Sequence, residues 1–79
     1  MTLLQKVQEF GFKDFPALSK AIRHEGLAAS SLGYIYSSGI LAWFHHAFGM
    51  TETEAKQLYD ALISMGHLRE NSYGNVYPV

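Results

Sequence analysis

The side chains able to do chemistry are four histidines, seven serines and seven carboxylates, and their spacing assembles none of them into a catalytic set. His45 and His46 are adjacent. On a helix, neighbours project about 100° apart, so this pair cannot grip one metal ion as an i, i+4 pair does. His24 and His67 stand alone in the sequence. No serine sits in a Gly-x-Ser-x-Gly elbow, and the glycines form no Gly-x-Gly-x-x-Gly phosphate loop. An enzyme needs a nucleophile, a base and an orienting group that converge on a pocket. The sequence predicts no catalytic residue, no metal ligand, no cofactor and no evident small-molecule substrate.

Composition narrows the field further. The chain has 79 residues and reads as one domain over 1–79, with no linker, repeat or low-complexity stretch. A domain of this size buries only roughly 60–65% of the surface its unfolded chain exposes, so its core is thin. Cysteine is absent, leaving packing as the source of stability, for which five Phe, five Tyr and one Trp supply the material. The formal net charge of −1 lacks the basic signature of proteins that live on phosphate backbones or anionic lipid. The opening residues carry Glu9 and no long apolar run, unlike a signal or transit peptide, so a cytoplasmic protein is expected. The initiating Met is expected to mark a whole gene product or a domain edge.

The elements are laid out around residues 51–66. Thr51 and Glu54 have capping-box spacing, and Ala55, Leu58, Tyr59, Leu62 and Ile63 follow at the intervals of one helical face. Gly66 supplies the stop, because a residue without Cβ takes positive φ cheaply. Residues 67–79 then read as two short strands around a turn rich in Asn, Ser and Gly. Earlier in the chain, Leu3, Leu4, Val7 and Phe10 share one face of a short amphipathic helix closed by Gly11. Asp14 or Phe15 caps a second helix with Pro16 in its first turn; Phe15, Leu18, Ala21 and Ile22 point inward, and Lys20, Arg23 and His24 outward, up to Gly26. Residues 26–50 contain no Asp, Glu, Lys or Arg, yet four glycines and four serines interrupt them, which argues against a membrane span of about 20 apolar residues. Within that stretch Tyr34, Ile35 and Tyr36 predict a strand that pairs with the terminal hairpin. Ser37 and Ser38 are expected to cap the next helix, over 39–48. There Ile40, Leu41, Phe44, Ala47 and Phe48 share a face, with Trp43 and His45 on its flanks and Ala42 and His46 outside.

Helix, helix, strand, helix, helix, strand, turn, strand is the order of a small α+β winged helix-turn-helix with an extra amino-terminal helix and a carboxy-terminal β-hairpin wing. Its core is predicted from Val7, Phe10, Leu18, Ile22, Phe44, Phe48, Leu58, Leu62 and Leu68. From Ser38 onward the chain also resembles the DEP domain, a winged-helix module of signalling proteins. The resemblance lies in Ser38-Gly39 followed by Ala42-Trp43-Phe44, and continues in Glu54-Ala55, Leu58, Leu62, Gly66-His67-Leu68 and Val76-Tyr77. It covers roughly the last forty residues. DEP domains carry a basic β-arm between their first two helices, used for acidic lipids and receptor tails. Residues 27–36 here carry no basic side chain, so the resemblance does not extend to membrane docking.

Two functions compete. As a DNA reader, the protein would use residues 51–65 as its recognition helix and Lys56, Gln57, Arg69 and Asn71 as contacts. That helix carries one Lys against Glu52, Glu54 and Asp60, a sum of −2, whereas affinity for DNA comes mainly from neutralised phosphates. The favoured expectation is a protein–protein interaction module: an adaptor, regulatory subunit or small inhibitor that binds a partner or itself. Uncharged, aromatic-bearing surface is the composition of an interface centre, and Tyr34, Tyr36, Trp43 and Tyr73 are its predicted anchors.

Overall fold

Thr51 opens the longest helix as expected: its hydroxyl accepts the Glu54 N–H, and the Glu54 carboxylate accepts the Thr51 N–H. The computed structural model describes residues 2–26 and 35–78. Helix α1 is Leu3–Glu9 and α2 is Phe15–Ala21, continued by a π-helical turn at Ile22–Gly26. Strand β1 is Ile35–Tyr36, α3 is Ser37–Ala47, α4 is Glu52–Ser64, β2 is Leu68–Glu70 and β3 is Asn75–Pro78. The strands form one antiparallel sheet in the order β1-β3-β2, with Ile35 opposite Val76, Tyr36 opposite Asn75 and Arg69 opposite Tyr77. Helices α3 and α4, joined through 48–51, are the helix-turn-helix; β2, β3 and their turn are the wing. Tyr34 and the segment compared with the DEP arm lie mostly outside the described residues.

Local chemistry explains each boundary. Asp14 caps α2 by accepting the Ala17 N–H, and Pro16 occupies the first turn, where a missing N–H costs nothing. Helix α4 ends in a Schellman motif: Gly66, at φ +80°, donates to the Ile63 carbonyl and His67 donates to that of Leu62. Helix α1 carries a second capping box, between Thr2 and Gln5. The expected serine cap on α3 does not form. Tyr36 holds the cap position without a side-chain bond, and Ser37 and Ser38 are the first residues of the helix; the Ser37 N–H donates instead to the Gly74 carbonyl of the wing. The sheet thus takes over a task usually given to a cap.

The core is continuous, built from Val7, Leu18, Ile22, Ile40, Phe44, Phe48, Met50, Ala55, Leu58, Tyr59, Leu62, Leu68 and Val76. Phe10 departs from expectation. It is 38% exposed and lies over the core, stacked on Phe48 at 4.8 Å, because α1 is too short to carry its last turn under its neighbours. Leu4, on the outer shoulder of α1, and Ala47, at the end of α3, are also exposed. No helical period marks Met50: Gly49 at φ +63° turns the chain so that Met50 fills the helix-turn-helix corner. Ser19, the one buried polar residue of the described set, donates to the His67 carbonyl and ties α2 to the start of the wing.

Candidate interaction surface

The wing turn is a preformed scaffold. Asn71 Oδ1 accepts the N–H groups of Tyr73 and Asn75, the Asn71 carbonyl accepts the Gly74 N–H, and the Asn75 carbonyl accepts the Asn71 N–H. Gly74 turns at φ +78°, where a Cβ would stand 3.5 Å from Ser37 Oγ. This fixed tip holds Tyr73 outward with 85% of its surface exposed. Tyr36, 54% exposed, pairs with Asn75, two residues beyond Tyr73. Strand pairing therefore brings two of the predicted anchors to one end of the sheet.

Trp43 is placed differently. It is half-buried, its ring 5.0 Å from Phe48 and 5.7 Å from Phe44, in the aromatic cluster that Phe10 and Phe12 complete. Packing against the core covers most of its surface. Among the alternative DNA contacts, Lys56 and Gln57 are exposed on α4, and Arg69 is exposed on β2. Asn71 is committed to the wing turn through its side-chain oxygen, which leaves its amide nitrogen for any ligand.

The outer face of α4 consists of Glu52, Thr53, Lys56, Gln57, Asp60 and Ser64, with two carboxylates to one ammonium. Glu54, on the flank, is bound to Lys6 of α1, a pairing across 48 residues that no local pattern announces. The Lys6 ammonium, followed by the Thr51 N–H, lowers the Glu54 pKa to about 2. Helix α1 is thereby anchored beside the first turn of α4, the end that a groove-reading helix presents to DNA.

Between α3 and α4 lies a cleft of about 460 Å³ with an apolar floor of Leu41, Ala42 and Ala55 and a rim that includes Glu52, Lys56 and His46. His45 borders it with a fixed tautomer. Its Nδ1 lies 2.6 Å from the Met50 carbonyl, which can only accept, so Nδ1 carries the proton and Nε2 the lone pair of the neutral ring. The rings of His45 and His46 meet edge to face, and among the described residues no three His, Cys, Asp or Glu side chains could hold a metal ion. Behind α4, the Tyr59 hydroxyl is buried without a hydrogen-bond partner. Burial first, and the nearby Glu70 carboxylate second, raise its pKa well above the usual phenol value, although Glu70 stands outside bonding geometry.

Sequence reasoning missed the cleft because its floor joins residues of two helices, half-buried Leu41, exposed Ala42 and buried Ala55, that each look unremarkable alone. No helix among the described residues is long and apolar enough to cross a membrane. No family model, no curated protein and no solved structure matches the chain.

Proposed function

We propose that this chain is a non-enzymatic protein–protein interaction module of the cytoplasm, an adaptor, regulatory subunit or small inhibitor, whose contact face is the wing end with Tyr73 and Tyr36 as anchors. The observation that carries this reading is Tyr73: a large amphipathic ring, 85% exposed, held on a turn already fixed by hydrogen bonds. Rigid aromatic anchors gain affinity because little conformational freedom is lost when they are buried. The likeness of the second half to DEP domains agrees with it. Trp43, partly buried, contributes less than the wing tyrosines, and Tyr34 remains in the set as a neighbour of Tyr36 in sequence.

The winged architecture itself favours a second reading, a DNA-binding regulator using Lys56, Gln57, Arg69 and Asn71. Against it stand the acidic balance of the α4 face and the anchoring of α1 beside its first turn. A pull-down from the source cell with the intact chain, before and after nuclease, separates the two. A protein retained after nuclease, and held at least about fivefold more weakly by Tyr73→Ala, supports the module. Loss of all bound material, with a low-salt mobility shift abolished by charge reversal at Lys56 or Arg69, establishes the DNA reader instead.

A further inference from the structure

We infer that the α3–α4 cleft receives the Tyr73 side chain of a second copy of this chain, exchanged reciprocally about a two-fold axis. The inference rests on reading the wing as a contact face, and it names the partner. Its first support is the fit of knob to hole. Tyr73 projects from the tip of a braced turn. The cleft, at about 460 Å³, lies in the range of cavities that enclose small organic groups, and its floor of Leu41, Ala42 and Ala55 suits a ring. Its rim offers Glu52 as an acceptor for the phenol hydroxyl and Lys56 as a cation for the ring face.

The second support is adjacency. A two-fold interface uses the same patch on both copies, so that patch must carry both the knob and the hole. Here it does: Ser38 lines the cleft, and Ser37, its neighbour, donates its N–H to the carbonyl of Gly74, which follows Tyr73. The third support is charge. Glu52 and Lys56 balance on the rim, and Arg69 and Glu70 balance on the wing that meets it, so neither surface carries an excess of one sign that repels the other.

Sedimentation velocity across a concentration series reads the dimer directly. The wild-type chain should pass from monomer to dimer below about 1 mM, the weak end of specific association. Tyr73→Ala removes the knob and Ala42→Trp fills the hole; each should weaken the dimer at least tenfold. Mixed in equal amounts, the two variants should associate more tightly than either alone, because the intact tyrosine of one meets the open cleft of the other. In the wild-type protein, dilution should shift the NMR amide signals of Leu41, Ala42 and Ala55 and leave those of α1 in place, a readout that needs no variant. A wild type that stays monomeric, a Tyr73→Ala chain that dimerises undiminished, or a mixture no tighter than its components overturns the inference. A monomeric wild type that still retains a different protein through Tyr73 overturns this inference alone and leaves the module reading intact; an empty nuclease-treated pull-down removes that reading as well.

Discussion

Leu62→Ala, measured beside Leu4→Ala, tests the division between core and lid. Both changes remove about three methylene equivalents, a transfer loss of about 2.4 kcal/mol for a side chain taken wholly out of water. Leu62 is 0% exposed, enclosed between α4 and the rest of the core, so its removal also leaves a cavity and the expected cost rises to about 2.7–5 kcal/mol. Leu4 is 37% exposed. Solvent fills the space it leaves, and the partial burial lowers its cost to about 1.5 kcal/mol at most. A domain of 79 residues holds about 4–12 kcal/mol in all, so Leu62→Ala removes a large share of it. Urea unfolding followed by the fluorescence of Trp43 measures both, since that ring leaves Phe44 and Phe48 on unfolding. A loss below about 1 kcal/mol at Leu62, or equal losses at the two sites with unchanged m, would refute the packing described here.

Gly66→Ala meets no atom within 4 Å, so its cost is the left-handed backbone alone, about 1–2 kcal/mol in the same urea assay. Glu54 has its pKa lowered from 4.5 to about 2, so its contribution to stability is complete above 4.5 and lost as pH falls from there towards 2. Lys6→Met should move the Glu54 titration, followed by NMR, back towards 4.5; an unmoved titration would show that Thr51 alone sets it. Tyr59→Phe removes a buried hydroxyl without a partner and should raise stability by about 1 kcal/mol, whereas a loss would reveal a bond to Glu70 in solution. Because the raised phenol pKa belongs to the folded state, wild-type stability should fall as pH rises from 10, and the Tyr59→Phe chain should fall less.

The elements were legible wherever a periodic face ended in its own punctuation. The 51–66 stretch carried cap, face and stop in consecutive residues, and all three stand in the structure. The strand at Ile35–Tyr36 was legible as β-favouring residues between helices. Periodicity points Phe10 toward the core yet leaves it exposed, because it gives the direction of a side chain and not how far its neighbours extend over it. Ser37 and Ser38 fit the statistics of caps, but a carbonyl from 37 residues away reached the Ser37 N–H instead. The same limit hid the Lys6–Glu54 pair and the cleft, both products of elements meeting through the fold. Tyr73 was legible as a contact candidate from its place in a turn; that Asn71 braces the turn was not.

Strand β2 lies at the outer side of the sheet among the described residues, and its sequence governs what can be added there. Two copies joining edge to edge as antiparallel strands must be related by an axis perpendicular to the sheet. That axis keeps each side chain on its own face, so a residue can stand opposite only one an even number of places away. The register that overlaps Leu68–Glu70 fully sets Arg69 against its own counterpart, and the one displaced by two places sets Glu70 against its own; like charges directly opposed disfavour both. An alternating basic–acidic dipeptide on so short an edge thus works as a lock against its own key, keeping the sheet from lengthening into a fibre. An antiparallel foreign strand that sets an acidic residue opposite Arg69 and a basic one opposite Glu70 would meet no such barrier.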